Sequence, residues 1–228
     1  MILEDQSYPL TSHSVILDLD ETLIHTFLPD QKINPHLIKD KYLLFELSLN
    51  NIKYHGLKRP YMYEFLTFCF SYFETVAVWS AGNDTYVDGI VNIIFRDICP
   101  PHLIYSYSKC EQEPKPISYS KPIVKMIQSE QDLSHHMSLD HTFIIDDRIS
   151  NFTRNPHNGI LIPEYEPDPY NHSSDYHLKH LINWFLRPEV ISCPDIRLLD
   201  KSYIFPTNQI TSPRSFPSPR SFPLVSFI

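Results

Sequence analysis

The stretch Val15-Ile16-Leu17-Asp18-Leu19-Asp20-Glu21-Thr22 decides the fold that we expect for this chain. Three apolar residues run directly into two aspartates. A short apolar run that stops at acidic residues is typical of a buried parallel strand that ends at a site. Residues i and i+2 of an extended strand point to the same side. Both aspartates are therefore expected to face one reaction centre, with Leu19 turned into the core.

Further apolar runs alternate with helical patterns along the chain. Strands are predicted at 15–17, 75–79, 103–107, 143–145 and 159–162, helices at 60–70, 83–95, 120–127 and 175–186, and a β-hairpin at 42–47 and 52–57. The hairpin turn is expected at Asn50-Asn51, and Asn83 or Asp84 can cap the second helix. This alternation predicts an α/β fold: a Rossmann-like parallel sheet flanked by helices, with a small β-hairpin insertion and no large cap domain.

Composition and charge limit the class of protein. The 228 residues, 42% hydrophobic and 20% charged, suit one globular domain with a tail. The formal net charge of −8 and the lack of a Lys/Arg cluster argue against a nucleic-acid partner. No apolar run reaches the ~18 residues that cross a bilayer, and no signal-peptide pattern opens the chain. The four cysteines are therefore expected as reduced thiols in the nucleus or cytoplasm, and the twelve histidines as surface residues.

The chain divides into three regions by composition. Residues 1–12 are expected to form a short arm, 13–200 the folded domain, and 201–228 a Pro/Ser-rich tail without ordered structure. The tail contains Ser-Pro-Arg-Ser-Phe-Pro twice, at 212–217 and 218–223. Its Ser-Pro steps fit either phosphorylation by proline-directed kinases or a drifted duplication, and composition alone favours the duplication.

The two aspartates and the threonine after them suit phosphoryl transfer. That reaction needs a nucleophile, a proton donor for the leaving oxygen, cations and backbone donors. Asp18 is predicted as the nucleophile that forms an aspartyl-phosphate, Asp20 as the general acid and base, and Thr22 as the residue that fixes the turn. The pattern D-x-D-x-T arises by chance in on the order of a few per cent of chains this long. A solvated acidic loop is the alternative, and it fits poorly with the apolar strand before it.

A second acidic pair, Asp146-Asp147, follows the apolar run at 143–145. Carboxylates gathered at one site repel each other, so they call for a bound cation. Oxygen ligands favour Mg²⁺ over Zn²⁺. The competing interpretation is a helix N-cap pair.

Two residues are candidates for holding the phosphate. Ser80 follows the strand at 75–79 and precedes a helix whose free N–H groups can bind an anion, although it could also be a plain cap. Lys121 is the predicted cation for the phosphate, with Lys115 and Lys125 as nearby competitors.

These residues, in this order, resemble the haloacid-dehalogenase (HAD) superfamily. Within it they resemble the phosphatases that act on the C-terminal domain (CTD) of RNA polymerase II, the small CTD phosphatase and NLI-interacting-factor group. The resemblance covers roughly residues 13–200. It is carried by the stretches at 15–25, 58–60, 64–66, 78–81, 118–121, 144–147, 158–160 and 195–197.

The resemblance implies a HAD-like fold and a Mg²⁺-dependent phosphatase. Carried over by position, Ser80, Ala81 and Lys121 would bind phosphate. The Mg²⁺ ion would be surrounded by the carboxylates of Asp18, Asp146 and Asp147 and the carbonyl of Asp20. The group carries Arg-Glu-x-Cys before its lysine motif, whereas this chain has Tyr107-Ser108-Lys109-Cys110 and also an unusual Arg148.

The expected substrate is phosphoserine or phosphothreonine in a protein segment, because a site without a lid domain stays open to large substrates. The alternative is a catalytically weak HAD-fold protein that binds a phosphopeptide or a partner. A phosphatase for small molecules or polynucleotide ends is a third hypothesis. Large DNA viruses carry short relatives of this group, so a viral member is among the expectations.

Overall fold

The structure, a computed structural model, describes residues 8–37, 41–113, 118–129, 137–170 and 174–206. The strands in that part of the chain are β1 (Ser14–Leu17), β2 (Ile24–Phe27), β3 (Leu44–Leu49), β4 (Ile52–Lys58), β5 (Thr75–Trp79), β6 (Leu103–Tyr105), β7 (Glu111–Glu113), β8 (Ser118–Ser120), β9 (Thr142–Asp146) and β10 (Gly159–Leu161). The helices are α1 (Met62–Tyr72), α2 (Asp84–Ile94), α3 (Ile123–Ser129), α4 (His177–Phe185) and α5 (Pro188–Ile191).

A five-stranded sheet in the order β10-β9-β1-β5-β6 forms the centre of the molecule. All of its strand pairs are parallel. β1 lies in the middle, with Val15 opposite Val76 on one side and Phe143 on the other. The carboxyl ends of β1, β5 and β9 therefore meet at one edge, where a parallel sheet places its site. The predicted fold class and the five predicted strands of this sheet are confirmed.

Helices cover both faces of the sheet. Successive residues of a strand point to opposite sides, so each strand packs its side chains against both layers. Val15 and Leu17 pack into the core under α1, α2 and α4. Ile16 faces the other way and packs with Trp79 and with Met126 of α3. Burial on both faces explains why these strands are continuous apolar runs. Among the described residues, no helix is long and apolar enough to cross a membrane.

A second, antiparallel sheet in the order β2-β4-β3 follows the first motif. The predicted hairpin is present as β3 and β4. Its turn residues Asn50 and Asn51 have φ of 49° and 63°, the left-handed pair that a type I′ turn requires. The insertion is larger than the predicted hairpin, because β2 adds a third strand. The short pair of β7 and β8 was also not predicted from the sequence.

The ends of the described chain pack onto the domain. The backbone N–H groups of Leu10 and Thr11 donate to the carbonyls of Ser71 and Tyr72 at 3.0 and 2.9 Å. Phe205 is buried in the main core, so ordered packing continues past the boundary predicted at residue 200. The tandem repeat at 212–223 lies outside the described residues, and its predicted lack of order stays a prediction.

The prediction that the histidines lie at the surface is wrong for His13, His25 and His177, which are buried. Each has a polar partner inside the fold; His13 Nε2, for example, lies 3.1 Å from the carbonyl of Val190. His141 is half-buried and stacks on His13. These histidines can be buried because each is hydrogen-bonded inside the fold. No local sequence pattern reveals those hydrogen bonds.

Candidate active site

The first motif forms a tight turn at the end of β1. The N–H of Asp18 donates to the carbonyl of Ile145 at 3.0 Å, which extends the parallel ladder by one residue. The carbonyl of Leu19 accepts three backbone N–H groups from the residues that follow, and Glu21 adopts φ of 60°. Leu19 is fully buried between two polar neighbours, as predicted. The turn thus fixes the aspartates at 18 and 20 on a rigid backbone.

Lys121 bridges two of the carboxylates. Its Nζ lies 2.5 Å from Asp18 Oδ1 and 2.6 Å from Asp146 Oδ2, and all three side chains are buried. Asp147 completes the cluster, since one oxygen from each of the three aspartates lies within 4.8 Å of the others. Of the competing lysines, Lys125 is half-buried on α3, and position 115 lies outside the described residues.

Asp146 is held by a residue that the sequence did not reveal. Asn151 Nδ2 donates to both oxygens of Asp146, at 2.8 and 2.7 Å, and the N–H of Arg148 donates to Oδ1 at 2.9 Å. With Lys121 added, both oxygens of Asp146 already have partners. Asp147 instead lies 3.5 Å from the hydroxyl of Thr22. The geometry therefore leaves Asp147 freer than Asp146 to bind a cation.

The cluster carries more negative charge than one lysine balances. Burial and the charge of Asp146 raise the pKa of Asp18 to about 7, although Lys121 opposes them. Burial and the charges of Asp18 and Asp146 raise the pKa of Asp147 to about 9. Burial lowers the pKa of Lys121, but the two carboxylates that it contacts outweigh burial and raise it. A buried, all-oxygen donor set whose carboxyl groups are costly to ionise without a cation fits Mg²⁺.

Asp20 lies in a separate hydrogen-bond network. The hydroxyl of Tyr86 donates to its Oδ1 and lies 2.8 Å from Thr26 Oγ1. Ser80 Oγ lies 3.5 Å from its Oδ2. Burial raises the pKa of Asp20 to about 6, against the opposing hydrogen bond from Tyr86. The sequence predicted Asp20 but not Tyr86, which the first turn of α2 brings to the site.

Ser80 follows β5 at the same edge of the sheet. Its backbone N–H donates to the carbonyl of Tyr105 at 2.9 Å, and its Oγ accepts the N–H of Gly82 at 3.0 Å. Ala81 is exposed next to it. Asn83 caps α2 by accepting the N–H of the third residue on, which confirms that predicted cap. The segment thus presents backbone and hydroxyl groups beside Asp20.

Arg59 supports the first motif from behind. Its guanidinium is fully buried and donates to the carbonyl of Thr22 at 3.0 Å, to the carbonyl of Pro163 at 2.7 Å and to Asp175 Oδ2 at 3.0 Å. Arg59 therefore ties the turn to the start of α4. An arginine directly after a strand and before Pro60 was the available sequence signal, but the sequence alone did not give it a role.

The fold and the site define a class of α/β proteins with a lysine-bridged aspartate cluster at the carboxyl edge of a parallel sheet. The chain belongs to the NLI interacting factor-like phosphatase family, whose family model matches residues 13–197. The resemblance found in the sequence is thereby confirmed.

Two curated relatives illustrate the similarity. A CTD nuclear envelope phosphatase 1 homolog from Caenorhabditis elegans is 26% identical over 172 residues, which cover 71% of this chain and 65% of the relative. A CTD small phosphatase-like protein 2 from Dictyostelium discoideum is 31% identical over 98 residues, which cover 38% of this chain and 16% of the relative. The chain thus spans less than two thirds of either relative.

A solved structure shows the same fold. A fission yeast RNA polymerase II CTD phosphatase, an Fcp1 variant bound to beryllium fluoride, superposes with a TM-score of 0.50 at 20% identity. The alignment covers 68% of this chain and 42% of that chain. Another Fcp1 structure aligns with a TM-score of 0.47 at 18% identity, over 83% of this chain and 58% of that one.

Proposed function

We propose that this protein is a Mg²⁺-dependent phosphatase that hydrolyses phosphoserine or phosphothreonine in protein segments through an aspartyl-phosphate at Asp18. The observation that carries the proposal is the meeting of Asp18, Asp147 and Lys121 at the carboxyl edge of the sheet. Asp20 lies one residue beyond Leu19, on the same rigid turn. Nucleophile, proton carrier and cation sites therefore occupy one small region.

In the first step, a carboxylate oxygen of Asp18 attacks phosphorus and the bond from phosphorus to the substrate oxygen breaks. Asp18 Oδ2 suits this role because Lys121 holds Oδ1 at 2.5 Å, whereas the hydrogen bond from Thr22 Oγ1 to Oδ2 is longer, at 3.4 Å. Asp20, in its protonated form, gives its proton to the leaving serine or threonine oxygen. The products of this step are the free hydroxyl and an aspartyl-phosphate.

In the second step, Asp20 as a carboxylate takes a proton from water while the water oxygen attacks phosphorus. The bond from phosphorus to Asp18 breaks, which releases inorganic phosphate and restores both aspartates. Tyr86 and Ser80 keep Asp20 oriented through the two steps. Lys121, Ser80 and the backbone at Ala81 are positioned to offset the charge on the phosphoryl oxygens.

The bound Mg²⁺ would offset the negative charge on the phosphoryl oxygens. Asp18, Asp147 and the carbonyl of Asp20 would hold it. Asp146 was predicted from the sequence as a further Mg²⁺ ligand. Its contacts with Lys121 and Asn151 favour a different role, which is to hold Lys121 in place.

A protein substrate is supported by the region between the first motif and α1. In the described part of that region the chain forms the three-stranded sheet β2-β4-β3, which is not a lid domain. A phosphorylated segment of a large protein could therefore approach the site. The names of the two curated relatives, a CTD nuclear envelope phosphatase 1 homolog and a CTD small phosphatase-like protein 2, point the same way. An intracellular location, nuclear or cytoplasmic, goes with such a substrate.

The test is hydrolysis of p-nitrophenyl phosphate by the purified chain at mildly acidic pH, with Mg²⁺ and with EDTA, beside Asp18→Asn. Turnover that needs Mg²⁺ and disappears in the variant is expected. A folded, Mg²⁺-loaded chain without turnover would favour the phosphopeptide-binding alternative. Phosphopeptides, sugar phosphates and 3′-phosphorylated oligonucleotides then separate the substrate classes, and the phosphopeptides should be preferred.

A further inference from the structure

An apolar pocket of about 360 Å³ opens beside the candidate active site. Its lining residues are Ile149, Phe152, Thr153, Pro156, Gly159 and Leu161. Two of them are large apolar side chains that are unusually exposed, Ile149 at 72% and Leu161 at 46%. Contiguous exposed apolar surface of this kind marks a place where another segment docks.

The pocket and the site share one loop. Ile149 lies two residues after Asp147, and Phe152 directly follows Asn151, which holds Asp146 through two hydrogen bonds. A segment seated in the pocket would therefore lie next to the acidic cluster. Such a segment would obstruct a phosphorylated protein more than a small phosphate ester.

We infer that the occupant of this pocket is the chain's own tail, which inserts Phe216 or Phe222 of its tandem Ser-Pro-Arg-Ser-Phe-Pro repeat. Phenylalanine is the one large apolar residue in each copy of the repeat. An aromatic ring buries a large apolar area at the cost of few rotatable bonds. The pocket is open enough to admit one ring, and the two copies offer the same group twice.

The path of the chain permits this docking. Lys201 Nζ donates to the carbonyl of His157 at 2.9 Å, immediately beside Pro156 of the pocket. The segment that leads to the tail thus already lies against the edge of the pocket. Phe216 follows Pro206, the last described residue, by ten positions, which span up to ~33 Å when extended.

Covalent linkage favours the tail over a separate partner. A link of this length gives an effective concentration on the order of a millimolar, so weak docking suffices.

Fluorescence anisotropy with a labelled synthetic peptide of residues 210–223 tests the docking on the full-length chain. The double variant Phe216→Ser/Phe222→Ser removes the competing tail rings. Its Kd for the peptide should be about tenfold lower than that of the unaltered chain. Adding Ile149→Ser to the double variant should abolish binding. Adding Ile52→Ser instead, at an isoleucine 42% exposed on the hairpin of β3 and β4, should leave binding unchanged.

Equal peptide affinity with and without the tail rings would overturn the inference, as would binding that survives Ile149→Ser. Tail-dependent dimers in analytical ultracentrifugation would also overturn it, because the tail would then occupy a second copy. Anisotropy requires no turnover, so these outcomes are independent of the proposed function.

The effect of docking on catalysis rests on the proposed function. In the double variant, KM for a phosphopeptide should fall severalfold, while kcat/KM for p-nitrophenyl phosphate stays unchanged. If both activities are absent, the proposed function fails and the docking result stands. If the peptide binds but the KM for the phosphopeptide is the same in the double variant as in the unaltered chain, the inference that docking hinders the protein substrate is overturned.

Discussion

Lys121 and the groups around it depend on one another, because each is buried and needs a partner. It is nearly fully buried, and it contacts Asp18 and Asp146 within 2.6 Å. A buried ammonium is costly unless it is paired, and a buried carboxylate is equally so. Asn151 satisfies the remaining capacity of Asp146. The position of Lys121 at the site therefore depends on a residue that need not touch the substrate.

Replacing Asn151 by alanine should lower kcat while leaving the chain folded. Asp146 would lose two hydrogen bonds and Lys121 would lose a fixed partner, so the cation would be less well placed. Loss of such a supporting contact typically costs about 10–100-fold in activity. Steady-state kinetics with p-nitrophenyl phosphate would measure it, with circular dichroism to check folding. Thr153→Ala, at an exposed residue on the same loop, is the control, and equal activities in the two variants would contradict the prediction.

Asp175 should make stability depend on pH in the acid range. Burial raises its pKa, but the hydrogen bond from His177 and the charge of Arg59 outweigh burial and lower the pKa to about 2. The unfolded value is about 3.9, so the stabilisation is fully present above pH ~4 and is lost as the pH falls towards 2. It amounts to on the order of 2 kcal/mol of unfolding free energy.

Urea unfolding at steps from pH 5 to pH 2.5 would measure this dependence. Asp175→Asn should be less stable at pH 5 and should change less with pH. Asp195 is the comparison, since its pKa is also about 2, lowered by its hydrogen bonds to Arg197 at an exposed position. Solvent screens that pair, so Asp195→Asn should flatten the pH dependence much less. Equal flattening by both variants would refute the special role of Asp175.

At the scale of elements, the antiparallel sheet depends on a glycine in β4. A Cβ on Gly56 would lie 2.7 Å from the carbonyl oxygen of His25 and would also meet the ring of Phe45. Backbone cannot move aside cheaply, so Gly56→Ala should cost about 1–3 kcal/mol. Gly89→Ala in α2 is the matched control. Its Cβ meets only the flexible end of Leu47, and the gain in helix propensity offsets that contact.

Thermal unfolding of the two alanine variants would test the comparison. The melting temperature should fall clearly for Gly56→Ala and stay close to that of the unaltered chain for Gly89→Ala. A larger loss in the helical variant would show that the sheet tolerates the added methyl group.

The elements that could be predicted from the sequence are those in which consecutive residues are apolar because all of them are buried. β1, β5 and β9 are buried on both faces, so each is an apolar run, and two of them stop at aspartates. β7 is Glu-Gln-Glu and has no such pattern, since only its pairing with β8 makes it a strand. β2 was not predicted because it has only four residues directly after the motif turn, and its pairing with β4 is what makes it a strand.

The candidate site divides in the same way. Asp18, Asp20 and Asp146-Asp147 were predicted as site residues because they follow predicted strands, and Ser80 for the same reason; their roles stay predictions. Tyr86 and Arg59 were missed because their partners lie 66 and 116 positions away and are brought close only by folding. Asn151 lies only five positions after its partner Asp146, but no motif in the sequence drew attention to an asparagine at that spacing. A side chain that acts through another residue leaves no local pattern in a single sequence.

At the scale of the whole molecule, the central sheet gathers charges that oppose folding. β1 and β9 are neighbours, so their terminal aspartates must share one buried edge. The strain shows in the raised pKa values of Asp18 and Asp147, for which burial is the largest cause and the charge of the neighbouring carboxylates the next. A cation that binds only the folded chain should therefore stabilise it against unfolding.

Mg²⁺ should raise the melting temperature of the full chain. At a concentration of about ten times Kd, linkage gives about 1.4 kcal/mol, which is a rise of about 3–6 °C for a domain of this size. Differential scanning calorimetry with Mg²⁺ and with EDTA would measure it. The two neighbouring aspartates should behave oppositely. Asp147→Asn removes a buried carboxyl group whose raised pKa costs stability at neutral pH, so it should keep or raise the metal-free melting temperature and abolish the response to Mg²⁺.

Asp146→Asn removes a partner of the buried Lys121 and should lower the metal-free melting temperature, by an amount equivalent to about 3 kcal/mol. It should retain part of the response to Mg²⁺, because Asp18 and Asp147 remain. The two variants should differ in this way because the oxygens of Asp146 are occupied by Lys121 and Asn151, whereas those of Asp147 are not. If Asp146→Asn abolished the Mg²⁺ response and Asp147→Asn preserved it, the assignment of the two carboxylates would be reversed.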